Sequence, residues 1–127
     1  MTDVRDSEQV DAALQRTTTD LGIPSILVNN AGGVFSSPLL ETSENGWDAL
    51  YRSNLRHVLL CTQRVARVLV DASRPGSIIN LTSIEGVRAA PGYAAYAAAR
   101  PASSTTPRPR LSSWPRTIFE SMRSLRT

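Results

Sequence analysis

The chain has 127 residues, of which 41% are hydrophobic, so its length and composition indicate one small folded domain. It contains no apolar run of about 18 residues and no secretory signal pattern, which argues against a membrane-spanning or secreted protein. With one cysteine, Cys61, and one histidine, His57, neither an internal disulfide nor a Cys/His zinc site can form. We therefore expect a cytoplasmic protein with no metal site and no membrane partner.

The net charge of +3 is concentrated at one end of the chain. All 14 basic residues are arginines. Residues 1–99 contain eight Arg and ten acidic residues, whereas residues 100–127 contain six Arg and one acidic residue, Glu120. A basic segment can indicate a nucleic-acid partner, but this one lacks both an aromatic series and a periodic helix. We therefore rank nucleic-acid binding as the last of three functional readings.

The first two predicted elements are a helix and a strand. Residues 6–21 have helical spacing of apolar positions, and Asp6 can cap the helix with Gln9 in a capping-box position. Gly22 is a suitable C-terminal stop. The apolar, β-branched run at residues 25–30 predicts a strand buried on both faces, as in a parallel sheet.

A long helix and a second strand follow. The helix is predicted to begin near Ser43 and to end before the Pro/Gly turn at residues 73–76. Residues 77–82 then predict a second buried strand, and residues 94–99 predict the start of a third helix. The apolar positions of the long helix recur at helical spacing: Trp47, Leu50, Tyr51, Leu55, Val58, Leu59, Val65, Ala66 and Leu69.

The alternation of helix and strand predicts an α/β fold with a parallel sheet and flanking helices. Two strands are fewer than a typical sheet contains, so we expect an incomplete fold. After Ala99 the sequence becomes rich in Pro, Ser, Thr and Arg without any periodicity. We therefore place the domain in residues 1–99 and expect residues 100–127 to be a disordered tail.

Polar residues follow both predicted strands. Asn29-Asn30-Ala31-Gly32 closes the first strand, at the carboxyl end where parallel sheets bind ligands; the alternative is a simple tight turn. Ser83 ends the second strand, and Tyr96 and Arg100 are four positions apart on one helix face. A cation beside a phenol favours the phenolate form, and such a phenol can exchange a proton with a substrate.

The position of the cation decides between two candidate tyrosines. Four residues after Tyr93 stands Ala97, whereas Arg100 follows Tyr96 at that spacing. We therefore prefer Tyr96 as the acid/base.

Together these residues resemble the short-chain dehydrogenase/reductase family. The resemblance runs from about residue 3 to residue 100 and rests on Asn29-Asn30-Ala31-Gly32, Asn54, Ser83, Pro91 and Tyr96-Ala97-Ala98-Ala99-Arg100. It implies a Rossmann-like, doubly wound parallel sheet and an NAD(P)-dependent reaction on a small alcohol or carbonyl substrate. It also implies a homo-oligomer for the intact family, in which the long helix often packs against its copy.

The resemblance also implies roles for individual residues. Tyr96 would be the acid/base, Ser83 would hold the substrate oxygen, and Asn54 would support a proton-relay water. Arg100 stands where the family has the lysine of its Tyr-x-x-x-Lys motif. Both Arg100 and Tyr96 would be catalytic residues, and both would also bind the cofactor. Asp3 would contact the adenine of NAD or NADP. The ribose and nicotinamide side would be lined by Asn30, Ala31 and Gly32.

Two departures from the family pattern concern the ends of the chain. No Gly-rich phosphate-binding turn is present, so we expect this chain to lack the N-terminal Gly-rich βαβ unit, about the first quarter of the domain. Beyond Arg100 the resemblance stops. Reading the codons of residues 114–125 one nucleotide earlier permits Ala-Pro-His-Asn-Ile-Arg-Val-Asn-Ala-Ile-Ala-Pro, which resembles the next family strand. We therefore hypothesise a single-nucleotide deletion at codon 100, which would also turn a lysine codon into that of Arg100.

Three further residue assignments complete the sequence reading. His57 has no partner at a suggestive spacing and is predicted on the helix surface, and Cys61 is predicted in the core. A solvated flank of the long helix is predicted for Arg52, Arg56, Arg64 and Arg67.

The leading functional interpretation is an incomplete short-chain oxidoreductase. The second is a non-catalytic remnant that associates with an intact relative through its long helix.

Overall fold

Helices and two parallel strands alternate along the chain in a computed structural model that describes residues 1–86 and 91–104. In chain order the elements are α1 (Ser7–Leu21), β1 (Ile26–Asn29), α2 (Glu44–Tyr51), α3 (His57–Asp71), β2 (Ser77–Asn80) and α4 (Ala94–Ser104). Short 3-10 turns lie at Leu39–Glu41 and Ile84–Gly86. The predicted α/β alternation is confirmed. The part of the predicted tail from residue 105 onward lies outside the described residues.

The ends of α1 follow the predicted capping residues. The Asp6 carboxylate accepts hydrogen bonds from the backbone N–H of Glu8 (2.9 Å) and Gln9 (3.3 Å). The Gln9 side chain completes the turn differently from a capping box, because its Nε2 donates to Asp6 Oδ2 (3.2 Å) and its Oε1 accepts from the Asp3 N–H (2.8 Å). Gly22 ends the helix at φ +91°, a conformation that favours glycine.

The strands β1 and β2 pair in parallel, with Ile26 opposite Ser77 and Asn29 opposite Asn80. The connection through α2 and α3 is the crossover that a parallel pair requires. Side chains alternate between the two faces of a strand, and the face that carries Asn29 and Ile78 is buried under the helices.

The opposite face of β1 is open. Ile26 is 61% and Val28 is 50% exposed. The prediction that this strand is buried on both faces is therefore wrong, because none of the elements in residues 1–86 and 91–104 covers that second face. The apolar core lies on the helical side alone, and its members are Val10, Leu50, Val58, Val65, Leu69, Ile78, Ala95 and Ala99.

The predicted long helix is interrupted. α2 begins directly after Ser43, as predicted, and the Ser43 Oγ caps it by accepting from the Gly46 N–H (3.1 Å). A π-helical turn, Arg52–Arg56, then separates α2 from α3. Such a turn inserts an extra residue into the helix and occurs frequently at functional sites. It contains the fully buried Asn54, and α3 begins directly after it.

The third predicted helix extends further than the sequence reading placed it. α4 runs from Ala94 to Ser104, so its backbone continues past the expected domain boundary between residues 99 and 100. Arg100 is 8% exposed and lies within the helix rather than at the start of a tail. The side chain at position 100 therefore packs into the folded part of the chain, and the division into a domain and a tail stays a prediction.

Among the residues that the structure describes, no helix combines the length and apolar character needed to cross a membrane.

Candidate functional site

A buried polar cluster fixes the carboxyl ends of the two strands. Asn29 Nδ2 donates to Asn80 Oδ1 (2.8 Å) and to Thr62 Oγ1 (3.2 Å). These three buried side chains join β1, β2 and α3 immediately below the point where both strands end. Because buried polar groups are costly when unpaired, their mutual bonds hold one strand register.

Asn54 ties the π turn to the segment after β1. Its Nδ2 donates to the carbonyl oxygens of Gly33 (2.7 Å) and Leu50 (2.9 Å), and its Oδ1 accepts from the Gly33 N–H (3.3 Å). A π turn disturbs the regular helical bonding pattern, and the side chain of Asn54 supplies a donor to the Leu50 carbonyl there. The loop that contains Gly32 and Gly33 is thereby held against the helix.

Arg100 reaches from α4 across the ends of both strands. Its Nη1 donates to the Leu81 carbonyl oxygen (3.0 Å), directly after β2. On the other side its guanidinium lies against Gly32, because a Cβ at position 32 would overlap Arg100 Nη2 and would lie 2.6 Å from Asn54 Oδ1. A larger residue at position 32 would therefore displace the Arg100 guanidinium or the Asn54 side chain.

Tyr96 lies beside the same guanidinium. The Arg100 Cζ atom is 5.5 Å from the centroid of the Tyr96 ring, a cation–π distance. The pairing of Tyr96 with Arg100 that the four-residue spacing predicted is therefore present. Tyr93, the other candidate, lies one turn earlier and is more exposed.

Ser83 lies three residues after the end of β2, directly before the 3-10 turn Ile84–Gly86 that packs against α4. Its Oγ accepts a hydrogen bond from the Glu85 N–H (3.3 Å). A hydroxyl that accepts in this way keeps its own hydrogen for donation to another oxygen. The structure thus holds Ser83 within its own turn, while Asn54, Tyr96 and Arg100 are drawn together at the strand ends.

Asp3 and the segment that follows β1 line the same cleft. The cleft has a volume of about 570 Å³, and its lining includes Met1, Thr2, Asp3, Val4, Arg5, Gln9, Ala31, Gly32, Gly33 and Ser53. Asn30, next to this lining, is exposed. The predicted cofactor residues Asp3, Ala31 and Gly32 therefore line one cleft, and the Arg100 guanidinium lies against Gly32.

An ion pair fixes the carboxylate of Asp3. Arg5 Nη2 lies 2.7 Å from Asp3 Oδ2, and Arg5 Nε lies 2.9 Å from Asp3 Oδ1. Hydrogen bonds from the Arg5 side chain and backbone lower the pKa of Asp3 to about 2. The carboxylate is therefore ionised at neutral pH, and both of its oxygens accept hydrogen bonds from Arg5.

His57 is buried, contrary to the predicted surface position. The imidazole is 1% exposed, and neither ring nitrogen has a hydrogen-bond partner among the described residues. Burial, and then the charge of Arg100, lower its pKa, while the Ser53 carbonyl opposes this shift. A signal in the sequence could have placed it, because position 57 lies seven residues after the buried Leu50 and eight before Val65, on the same helix face.

The remaining candidate side chains of α3 have structural roles. Cys61 is half-buried rather than fully in the core, and burial raises the pKa of its thiol. Arg64 leaves the predicted solvated flank and pairs with Asp11 of α1, with Nε 2.6 Å from Oδ1 and Nη2 2.9 Å from Oδ2. The part of the chain that the structure describes contains no group of three or more His, Cys, Asp or Glu side chains placed to hold a metal ion.

Comparison with known proteins gives consistent matches. The family model described as short chain dehydrogenase matches residues 1–105. A 3-oxoacyl-(acyl-carrier-protein) reductase of Chlamydia muridarum is 35% identical over 100 residues, which are 79% of this chain and 40% of that protein.

Solved structures agree with this match. The crystal structure of a short chain dehydrogenase from Mycobacterium smegmatis superposes with a TM-score of 0.79 at 31% identity, covering 82% of this chain and 43% of that one. A 4-hydroxyisoleucine dehydrogenase complexed with NADH superposes with a TM-score of 0.73 at 28% identity, covering 80% and 44%. The chain therefore spans less than half the length of these relatives, and its two strands belong to a Rossmann-type sheet.

Proposed function

Because the chain belongs to the short-chain dehydrogenase family, we propose that its site serves NAD(P)-dependent oxidation of an alcohol or reduction of a carbonyl. The observation that carries this proposal is the contact of Tyr96 with Arg100 at the carboxyl ends of both strands. A phenol beside a permanent cation is suited to exchange a proton with a substrate oxygen. The names of the relatives include both a reductase and a dehydrogenase, which supports an alcohol/carbonyl pair as the substrate class.

The residues present fit the nucleoside parts of NAD or NADP. A cleft of about 570 Å³ lies between Asp3 and Gly32, and its lining also includes Ala31, Gly33 and Ser53. In this proposal Asp3 binds the adenine, Asn30, Ala31 and Gly32 line the ribose and nicotinamide side, and Tyr96 and Arg100 hold the ribose. When bound, the cofactor supplies or accepts a hydride at its nicotinamide ring.

The side chains of this chain handle the proton and orient the substrate. In the reducing direction the Tyr96 hydroxyl donates its proton to the carbonyl oxygen, and in the oxidising direction the phenolate accepts the alcohol proton. The Ser83 hydroxyl donates a hydrogen bond to the same oxygen, since its own acceptor position is used by the Glu85 N–H. Arg100 stabilises the phenolate. Asn54 keeps the π turn and the Gly32 loop in place and would support a proton-relay water.

We further propose that activity is impaired in this chain. Arg100 has the planar guanidinium instead of a compact ammonium group, and the two are not interchangeable at a ribose-binding position. We therefore expect weak cofactor binding and slow turnover.

The test is turnover with NAD+ or NADP+ and a panel of secondary alcohols, compared between two tyrosine variants. Tyr96→Phe removes the proposed proton donor and should lower kcat by on the order of 100-fold or more. Tyr93→Phe removes a hydroxyl one helical turn away and should leave kcat within about twofold, because that hydroxyl does not contact Arg100 in the proposed site. Equal loss in both variants, or no binding of either cofactor by calorimetry, would contradict the proposal. Association with an intact relative without turnover would instead favour the remnant interpretation.

A further inference from the structure

Arg5 alone occupies the acceptor positions of the Asp3 carboxylate. Asp3 Oδ1 accepts from the backbone N–H of Arg5 (2.9 Å) and from Arg5 Nε (2.9 Å). Asp3 Oδ2 accepts from the same Nε (3.1 Å) and from Arg5 Nη2 (2.7 Å). A carboxylate offers about four lone-pair positions, two on each oxygen, so these contacts use the whole accepting capacity of the group.

The backbone around this pair is held by the start of α1. The Asp3 N–H donates to Gln9 Oε1 (2.8 Å), and the Asp6 N–H donates to the Asp3 carbonyl oxygen (3.1 Å). The turn between Asp3 and Asp6 brings the Arg5 side chain back onto the Asp3 carboxylate. Both partners belong to the lining of the cleft that also includes Gly32.

An adenine ring needs what Arg5 has taken. Its exocyclic amino group is a hydrogen-bond donor, and a carboxylate binds such a group only through a free lone pair. The guanidinium of Arg5 offers donors and no acceptor, so it cannot replace Asp3 as the partner of that amino group. The amino group and the guanidinium therefore compete for the same two oxygens.

We propose that Arg5 is a specificity-determining residue, which must release Asp3 before the carboxylate can bind the adenine amino group of NAD or NADP. The side chains of Arg5 and Asp3 are 56% and 37% exposed, and an exposed ion pair contributes little. Arg5 therefore weakens the contact with adenine instead of abolishing it. The consequence for the cofactor rests on the proposed function, whereas the occupation of Asp3 by Arg5 does not.

The occupation of Asp3 is measured without a cofactor, by nuclear magnetic resonance of its carboxyl carbon in the full chain, assigned with Asp3→Asn. The hydrogen bonds from Arg5 lower the pKa of Asp3 to about 2. In Arg5→Met the pKa should rise toward the ordinary 3.8, because the side-chain hydrogen bonds are lost and only the backbone one remains. An Asp3 pKa that is the same in Arg5→Met as in the unmodified chain would overturn the proposal.

Arg16→Met is the matched control for this titration. It removes the same group from another exposed ion pair, between Arg16 Nε and Asp20 Oδ2 (3.2 Å). The net charge of the chain changes equally in the two variants. The pKa of Asp3 should therefore stay unchanged in Arg16→Met.

The competition itself is tested by calorimetry with NAD+ and nicotinamide hypoxanthine dinucleotide. The second ligand has a carbonyl oxygen in place of the adenine amino group and the same charge, so the loss of a cation cancels from the ratio of the two affinities. NAD+ should bind about as tightly as the analogue in the unmodified chain and in Arg16→Met. In Arg5→Met the ratio should rise to about fivefold in favour of NAD+.

The outcomes separate this inference from the proposed function. If NAD+ binds but the ratio is the same in Arg5→Met as in the unmodified chain, Arg5 does not compete with adenine, and the proposed function stands. If neither ligand binds any of these chains, the proposed function fails, and the titration of Asp3 alone decides whether Arg5 occupies its carboxylate.

Discussion

At the scale of single residues, Gly32 and Gly33 look alike in sequence and differ in what surrounds them. A Cβ at position 32 would overlap the Arg100 guanidinium, whereas a Cβ at position 33 would have its nearest neighbour, Ser53 Oγ, at an ordinary 3.7 Å. Neither glycine has a left-handed backbone, so the difference lies in side-chain contact alone. Comparing an alanine substitution at each glycine therefore distinguishes the effect of a contact with Arg100 from the general effect of adding a methyl group.

We predict that Gly32→Ala destabilises the chain by about 1–3 kcal/mol, because the added methyl group displaces Arg100 and Asn54. Gly33→Ala should change the free energy of unfolding by less than about 0.5 kcal/mol, since it meets no close contact. Urea unfolding followed by circular dichroism measures both. Equal effects of the two substitutions would mean that Arg100 does not lie against Gly32.

At the scale of elements, the first helix depends on local capping at its N-terminus. Asp6 accepts two backbone hydrogen bonds there, whereas Asp20 near the other end makes only an exposed ion pair with Arg16. Capping satisfies backbone donors that the helix itself cannot pair, and an exposed ion pair contributes little. The same residue type thus has different importance at the two ends of α1.

We predict that Asp6→Ala lowers the urea midpoint by about 0.5 M, whereas Asp20→Ala leaves it nearly unchanged. Hydrogen bonds from Gln9, through its backbone and its side chain, lower the pKa of Asp6. The stabilisation by Asp6 is therefore fully present above the ordinary pKa of 3.8 and is lost as the pH falls below it. The difference in stability between the two variants should shrink as the pH falls from 3.8 through the lowered pKa of Asp6. A difference that does not shrink in acid would argue against capping by an ionised carboxylate.

The π turn at Arg52–Arg56 is the element of the site that the sequence did not predict. A continuous helix was expected from Ser43 onward, and the apolar spacing indeed continues through α2 and α3. What spacing could not show is the extra residue at Arg52–Arg56, which is stabilised by contacts of Asn54 with Gly33 and Leu50. Leu50 is only one helical turn away, but Gly33 lies 21 residues earlier in the chain, so no local pattern encodes that contact.

At the scale of the whole molecule, no element in residues 1–86 and 91–104 covers the outer face of β1. Ile26 of β1 is 61% exposed, whereas Ile78 of β2, on the opposite face, is 1% exposed. Open apolar faces and strand edges favour self-association. The open face is consistent with the chain spanning less than half the length of its relatives.

We predict that Ile26→Thr reduces self-association, measured by sedimentation velocity, and changes the free energy of unfolding by less than about 0.5 kcal/mol. Ile78→Thr should cost about 2 kcal/mol or more, because it introduces a hydroxyl and a small cavity into the core. If Ile26→Thr were as destabilising as Ile78→Thr, the face of β1 would be covered in solution.

The sequence by itself determined the order of the elements, their caps and the family. Asp6, Ser43 and Gly22 act within a few residues of their own positions, so local patterns suffice to place them. The spacing of Tyr96 and Arg100 likewise follows from helix geometry alone.

Only the tertiary structure decided which faces and side chains are buried. The exposure of Ile26 depends on whether a distant element packs against the outer face of β1, and the apolar character of the residue contains no such information. The extension of α4 through Arg100 was decided in the same way, because the guanidinium finds its partners at the ends of two strands that are far away in the chain. Local hydrogen bonds are encoded locally, whereas the environment of a buried charge is a property of the assembled fold.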